Sequence, residues 1–316
     1  MYKIGIDLGG TNIAVGIVDK DYKIIAKGSV PTKADRDAES IIKDMGLLCN
    51  DLVKQAGLNM SDIEYAGIAT PGIANRADGV VEYANNLPFV KFPIAETLKK
   101  YLDVKAVHIE NDANAAAKGE AIAGIAKGCN HAVMITLGTG LGGGIIIDKK
   151  VYSGFNFAGG ELGHVVIEYN GRLCSCGRKG CWEAYSSATG LINMTKDKLA
   201  ECKDTIMHKL VEENNGEISG KTAFQAARQG DKAGSEVVDE YIEYLASGMA
   251  TIINIFQPEI LCIGGGVCNE GDYLMKPLIE KVEREQYSRD SMAKTQIKIA
   301  TLGNDAGIIG AAVLGV

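Results

Sequence analysis

"IGIDLGGTNIAVGIVDK" (Ile4–Lys20) and "MITLGTGLGGGIIIDKK" (Met134–Lys150) spell one pattern twice, and that repeat decides the fold. With Asp7 laid over Thr136, Leu8 falls on Leu137, Gly9 on Gly138, Ile17 on Ile146, and Asp19-Lys20 on Asp148-Lys149. Each copy reads as an apolar strand, a glycine turn and a second apolar strand. One such hairpin is common in any chain. Two, each followed by further strands and helices, argue for a duplicated α/β unit with a ligand cleft between its halves.

Outward from the first copy, "KIIAKGSV" reads as a third strand. A helix is expected from Ala38 to Ala56, with Ile41, Ile42, Met45, Leu48, Leu52 and Val53 on one face. "IEYAGIAT" is a strand ended by Pro71-Gly72, and "IAETLKKYL" a short helix. "VKAVHIE" is a strand that runs into an Ala-rich helix, "NDANAAAKGEAIAGIAKG", expected to end at Gly128. After the second copy come a cysteine-bearing stretch and a helical region from Ser186 to Phe256, closed by Pro258. "EILCIGGGV" and "IKIATL" read as strands and "DAGIIGAAVLG" as a closing helix. The expected division is an N-terminal α/β domain over residues 1–118, completed by the C-terminal helix at 303–316, and a larger C-terminal α/β domain over 119–302.

A chain of 316 residues, 46% of them apolar, can bury two cores. Its net charge of −7 argues against a general nucleic-acid or anionic-membrane surface, both of which favour clustered Lys and Arg. No apolar run has membrane-spanning length. The start, "MYKIGIDLGG", is strand-like and carries no signal-peptide pattern, so the expectation is a cytoplasmic protein with reduced thiols. Cys49, Cys129, Cys202, Cys262 and Cys268 are scattered and read as small buried hydrophobes.

Three glycine clusters each follow an apolar strand: "DLGGTN" (Asp7–Asn12), "LGTGLGGG" (Leu137–Gly144) and "GGGV" (Gly264–Val267). Together they favour a phosphate-rich ligand, because glycine lets backbone N–H groups close on phosphate oxygens. None is followed by the Gly-Lys-Ser/Thr of a P-loop, and "GTGLGG" leads into a strand, not the helix of a dinucleotide fingerprint. The cysteine stretch has the spacing His164, nine residues, Cys174, one residue, Cys176, four residues, Cys181. An odd number of cysteines in a reducing compartment disfavours a disulfide, and Cys-x-Cys is not the redox pair Cys-x-x-Cys. A Cys3His set favours a closed, tetrahedral, structural zinc site.

The three loops in this order resemble the actin-like ATPase superfamily of sugar kinases, and "CSCGRKGCWE" resembles the signature of its ROK family. The resemblance covers the whole chain and implies the duplicated actin-like, ribonuclease H-like fold. It implies that Asp7, Gly9, Gly10, Thr11 and Asn12 with Gly138, Thr139 and Gly140 flank the phosphates of Mg-ATP, and that Gly264, Gly265 and Gly266 lie near the adenosine. Asp7 would hold magnesium through water. In "HIENDANAAA", an Asp at a helix start is ordinarily an N-cap; the resemblance instead makes Asp112 the catalytic base and Asn111 a sugar ligand. It further implies sugar contacts from Gly72, Asn86, Glu161, His164 and Glu183, with His164 also a zinc ligand. The implied activity is transfer of the γ-phosphate of ATP to the 6-hydroxyl of a hexose, glucose first, with mannose, allose or an N-acetylated hexosamine as alternatives. A sugar-sensing repressor of the same family would need a DNA-binding segment ahead of the first glycine loop, where Asp7 leaves no room. A homodimer is implied by the resemblance alone.

Overall fold

The computed structural model describes all 316 residues. Its first five-stranded sheet is built from β1 (Tyr2–Leu8), β2 (Asn12–Val18), β3 (Ile24–Pro31), β4 (Ile63–Thr70) and, later in the chain, β8 (Val107–Asn111). Between them lie helix α1 (Ala38–Gln55), the short strands β5 (Ile73–Asn75), β6 (Val80–Tyr83) and β7 (Val90–Phe92), and helix α2 (Ile94–Lys99). Helix α3 (Asp112–Ala123) follows β8 directly. The repeat then supplies β9 (Ala132–Leu137), β10 (Leu141–Ile147) and β11 (Lys150–Tyr152). Helices α4 (Glu183–Ser186), α5 (Ala188–Glu201), α6 (Met207–Glu213), α7 (Thr222–Arg228) and α8 (Lys232–Phe256) come next. Strand β12 (Ile260–Gly264), helix α9 (Asp272–Glu285), strand β13 (Gln296–Ile299) and helix α10 (Ala306–Ala312) close the chain.

The two large sheets have the same order. The first runs β3-β2-β1-β4-β8 and the second β11-β10-β9-β12-β13, so each is third-second-first-fourth-fifth in its own half. In the first, β1 pairs antiparallel with β2 and parallel with β4, which is parallel to β8. In the second, β10 and β11 are antiparallel, and β12 and β13 parallel. This shared order is the structural counterpart of the sequence repeat.

The chain divides into two compact units. The first holds Met1–Met134, Gly144–Gly160 and Ala300–Val316; the second holds Ile135–Gly143 and Glu161–Ile299. In the first unit, Ile4, Ile6 and Leu8 of β1 are fully buried, as are Ile41, Ile42 and Met45 of α1. Helix α10 lies so close to the sheet that a Cβ on Gly5 would collide with the Ile308 carbonyl, and one on Gly67 with that of Ala311. No other residue type fits β1 and β4 at those two points. Strands β5, β6 and β7 form a small separate sheet that the sequence pattern does not announce. They have three or four residues each, too few for a period to show. In the second unit, the 25-residue helix α8 buries Val237, Tyr241, Ile242, Leu245, Met249 and Ile253. It starts at Asp231, whose carboxylate accepts from Gly234 N–H at 2.7 Å.

Helix α3 stops at Ala123 and not at Gly128. The cause is Glu120, which has no exposed surface. Its carboxylate accepts from Ile125 N–H (2.8 Å), Leu302 N–H (2.7 Å) and the Thr301 hydroxyl (3.2 Å). One buried carboxylate thus turns the chain out of α3 and anchors the segment leading into α10. Glu120→Ala leaves three donors without an acceptor and is expected to lower the unfolding free energy by about 3 kcal/mol, measured by urea denaturation.

Candidate functional site

The first unit gathers its candidate residues at the C-terminal ends of parallel strands, where open α/β sheets ordinarily bind ligands. Across β1, β4 and β8 the register aligns Asp7 with Ala69 and Ala69 with Glu110. Asn111 and Asp112 follow one step further out.

The loop after β1 is a tight hairpin in which Gly9 N–H donates to the Asn12 carbonyl at 2.9 Å. Thr32, fully buried, pins it from the side. The Thr32 hydroxyl donates to the Gly9 carbonyl at 2.6 Å, and its N–H donates to the Thr11 carbonyl at 2.8 Å. Gly10 and Thr11 therefore project from a fixed base, and Asn86 sits beside Gly10, 3.6 Å from where a Gly10 Cβ would stand. Burial raises the Asp7 carboxyl above the usual carboxylate range, and the Lys27 ammonium opposes the shift. Gly307, in the first turn of α10, leaves just enough room for the Asp7 carboxylate; a Cβ there would collide with it.

The cap of α3 is Asn111, not Asp112. The Asn111 side-chain oxygen accepts from Ala113 N–H (3.0 Å) and Asn114 N–H (3.2 Å), and its Nδ2 donates to the Gly72 carbonyl at 3.1 Å. One amide N–H of Asn111 is left for a ligand. Asp112 is the first residue of the helix and is exposed. Its Oδ1 accepts from Ala113 N–H at 2.9 Å. The position lets the partial positive end of the helix stabilise its charged form.

Gly72 adopts φ +85°, and a Cβ there would collide with the Tyr83 carbonyl, so the acceptor that orients Asn111 depends on glycine. Glu110, 2% exposed, stands behind the pair. It accepts from Asn111 N–H (3.0 Å) and Asn114 Nδ2 (3.2 Å), and pairs with Arg76 at 3.3 Å. Thr32, Glu110 and Gly307 escaped the sequence reading. Only Glu110 left a trace there, as a carboxylate inside the strand that leads to Asn111 and Asp112.

The second unit carries the other candidates. Gly138 N–H donates to the Gly140 carbonyl at 3.0 Å, closing the second glycine loop. The start of α5 holds this loop, through Ala188 N–H to the Gly138 carbonyl (2.9 Å) and the Thr189 hydroxyl to the Thr139 carbonyl (2.7 Å). Gly265, at φ +102°, brings the third loop against Leu137, where a Cβ would collide with the backbone. Gly264 ends β12 and Gly266 is exposed beyond it.

His164, Cys174, Cys176 and Cys181 come together, their donor atoms all within 4.8 Å of one another. Cys174 Sγ lies 3.7 Å from His164 Nδ1, and Cys176 Sγ 3.7 Å from Cys181 Sγ. Hydrogen bonds from the N–H groups of Cys174 to Arg178 O (2.8 Å) and Gly180 to Arg172 O (2.8 Å) fold the loop. Trp182, fully buried against Gly248 of α8, roots it in the core. The backbone N–H of Arg178 lowers the Cys176 thiol, whereas burial and the neighbouring thiols raise Cys181 to about 12.

Glu183 joins the cysteine loop to the glycine loop. One carboxylate oxygen accepts from Leu141 N–H at 2.9 Å, and the other from the Ser175 hydroxyl at 3.1 Å. Glu161 is exposed, and its carbonyl accepts from His164 N–H at 3.1 Å.

The ROK family's sequence profile matches residues 3–315. A glucokinase of Thermotoga maritima is 38% identical over 314 residues, covering 98% of this chain and 95% of that protein. A crystal structure of a ROK family glucokinase from Streptomyces griseus, in complex with glucose and AMPPNP, superposes with a TM-score of 0.84 at 33% identity and covers 99% of both chains. A xylose repressor of Caldicellulosiruptor bescii is 30% identical over 308 residues, which cover 97% of this chain and 76% of the repressor. The chain belongs to the ROK family, and its fold is the actin-like ATPase fold of that family's sugar kinases.

Thr32→Val keeps the shape of the side chain and removes the hydroxyl donor from the buried Gly9 carbonyl. It is expected to cost about 1–2 kcal/mol of stability and to speed hydrogen exchange of the Gly10–Asn12 amides, read by mass spectrometry.

Proposed function

We propose that this chain is an ATP-dependent hexose kinase that phosphorylates the 6-hydroxyl of glucose. Full-length similarity to glucokinases supports the activity, and the observation that carries its chemistry is that Asn111 supplies the helix cap while Asp112 does not. An exposed carboxylate at the helix start, next to the residue that supplies the cap, is placed to face a substrate. Asp112 accepts a hydrogen bond from the sugar hydroxyl and takes its proton as the oxygen–phosphorus bond forms and ADP departs with the bridging oxygen. The transition state is loose, so aiming the hydroxyl and neutralising charge matter more than a raised pKa.

The remaining residues divide by chemistry. The backbone N–H groups of Gly9, Gly10, Thr11 and Asn12, and of Gly138, Thr139 and Gly140, are assigned to ATP phosphates, and Gly264, Gly265 and Gly266 to the adenosine side. Asp7 would hold magnesium through water, and the ion would supply charge neutralisation at the phosphates. The last free N–H of Asn111, the Asn86 amide, the backbone at Gly72 and the carboxylates of Glu161 and Glu183 are assigned to sugar hydroxyls. Entry of glucose into glycolysis in the cytoplasm is the setting that fits this activity.

Zinc fits the cysteine cluster. A tetrahedral zinc with sulfur ligands at about 2.3 Å sets sulfur–sulfur edges of about 3.8 Å, close to the 3.7 Å between Cys176 and Cys181. That separation is far beyond a disulfide bond. His164, Cys174, Cys176 and Cys181 would hold the ion, which supplies no reacting water because all four positions are filled by protein. His164 Nδ1 is the nitrogen on the Cys174 side, so Nε2 is left for a sugar hydroxyl, the usual division of an imidazole between a metal and a second partner.

Three outcomes test this reading. Asp112→Asn should leave hexose binding by calorimetry intact while kcat falls about a hundredfold to ten-thousandfold; near-normal turnover in the folded variant would sink the assignment. Stripping metal with a chelator should release one zinc per chain, lower Tm and raise the hexose KM together. A coupled ADP assay over glucose, mannose, allose and N-acetylated hexosamines should rank glucose first.

A further inference from the structure

On the first unit, a cavity of about 310 Å³ is lined by Arg76, His108, Glu110, Lys118, Lys149 and Lys150, with apolar walls between them. No residue of the glycine loops lines it. Four of the lining side chains are cationic, against one acidic side chain and the carboxylate of the last residue, Val316, in a chain whose net charge is −7. We propose that this cavity is a binding site for a phosphate-type dianion, separate from the glycine loops.

Arg76 and Lys118 are each held by partners that leave donors over. Arg76 donates through one guanidinium nitrogen to Glu110 at 3.3 Å and lies over the Phe157 ring, 6.0 Å from its centroid. A planar fork so supported retains donors for two oxygens of one phosphate. The Lys118 ammonium donates to the Leu314 carbonyl (3.3 Å) and to the carboxylate of the last residue, Val316 (3.0 Å), which leaves its third N–H. Lys149 and Lys150 stand at the turn between β10 and β11, where Asp148 and Lys149 both adopt left-handed backbone, φ +51° and +63°. That turn brings two exposed lysines to the rim.

The charge balance favours an anion of two negative charges. Glu110, the one acidic lining side chain, already serves Arg76, Asn111 and Asn114. Burial lowers the Lys118 pKa, an effect that Glu110 opposes and the nearby Arg76 cation reinforces. His108 is also lowered, by burial and then by Lys118, so it adds no charge at neutral pH. A dianion removes the mutual repulsion of the cations. The cavity is concave and small, which suits inorganic phosphate or a small phosphate monoester and not a polymer.

The test uses the full chain, free of sugar and nucleotide, titrated with inorganic phosphate by calorimetry and by phosphorus-31 NMR. Saturable binding is expected, and it should persist when a non-hydrolysable ATP analogue is added. The double variant Lys149→Glu/Lys150→Glu, whose sites are exposed, should keep the parent Tm and kcat while weakening phosphate about tenfold or more, as expected for two lost charge-assisted contacts. Glycerol phosphate should compete with phosphate for the site. Absence of saturable binding, full displacement by the ATP analogue, or unchanged affinity in the double variant would each overturn the proposal. Citrate binding in place of phosphate would overturn the assignment of the ligand.

Discussion

Helix α10 rests its backbone on two glycines of the first sheet, and much of the first unit's functional geometry depends on that approach. Because Gly5 and Gly67 carry no side chain, the carbonyls of Ile308 and Ala311 reach the faces of β1 and β4 directly. The same helix meets α3 backbone to backbone, since a Cβ on Gly310 would collide with the Ala115 carbonyl. Two consequences follow. Gly307 is brought against the Asp7 carboxylate, and α3 is held at the depth that puts Asp112 at the end of β8. A helix spaced out by ordinary side chains would shift both carboxylates at once. The buried Glu120 serves the same end, tying α3 to the segment that enters α10.

In the second unit one carboxylate plays the corresponding part. Glu183 accepts from the backbone of the glycine loop at Leu141 and from Ser175 inside the cysteine loop. It also follows Cys181 and Trp182 in sequence, and Trp182 is sunk against α8. The cysteine loop is therefore anchored at one end by a buried indole and along its length by its own turns, with a carboxylate linking it to the second glycine loop. A metal at the cysteines would stiffen the scaffold that carries Glu183, His164 and Glu161. Burial and crowding of thiols already raise Cys181 to about 12. A cation among these sulfurs reverses that penalty, because it binds the thiolate form.

What was legible in the sequence was what is local or periodic. The repeat of Ile4–Lys20 in Met134–Lys150 foretold two sheets of the same order, because strand, turn and strand are written in neighbouring residues. The four zinc-type donors were legible because three of them fall within eight residues. The sheet of β5, β6 and β7 was not, since strands of three or four residues carry no period and take their stability from pairing. The end of α3 was misplaced for a different reason. Alanine-rich sequence favours helix through Gly128, and only the long-range partners of Glu120, nearly two hundred residues away at Thr301 and Leu302, override it. Thr32 left no sign at all, because its value lies in a carbonyl 23 residues earlier.

The reading of Asn111 and Asp112 shows how one position can change a chemical argument. A helix-starting aspartate is ordinarily consumed by capping, since its oxygens satisfy N–H groups that otherwise have no partner. Here the preceding asparagine satisfies two of them, and its own amide is steered by the Gly72 carbonyl. The capping duty is thereby moved one residue back, onto a side chain that cannot act as a base. The carboxylate that follows stands at the favourable end of the helix dipole, its Oδ1 accepting from Ala113 N–H. Glu110 completes the arrangement from below by holding the Asn111 N–H. At this junction of strand and helix, Glu110 supports, Asn111 caps, and the Asp112 carboxylate is left exposed at the helix start.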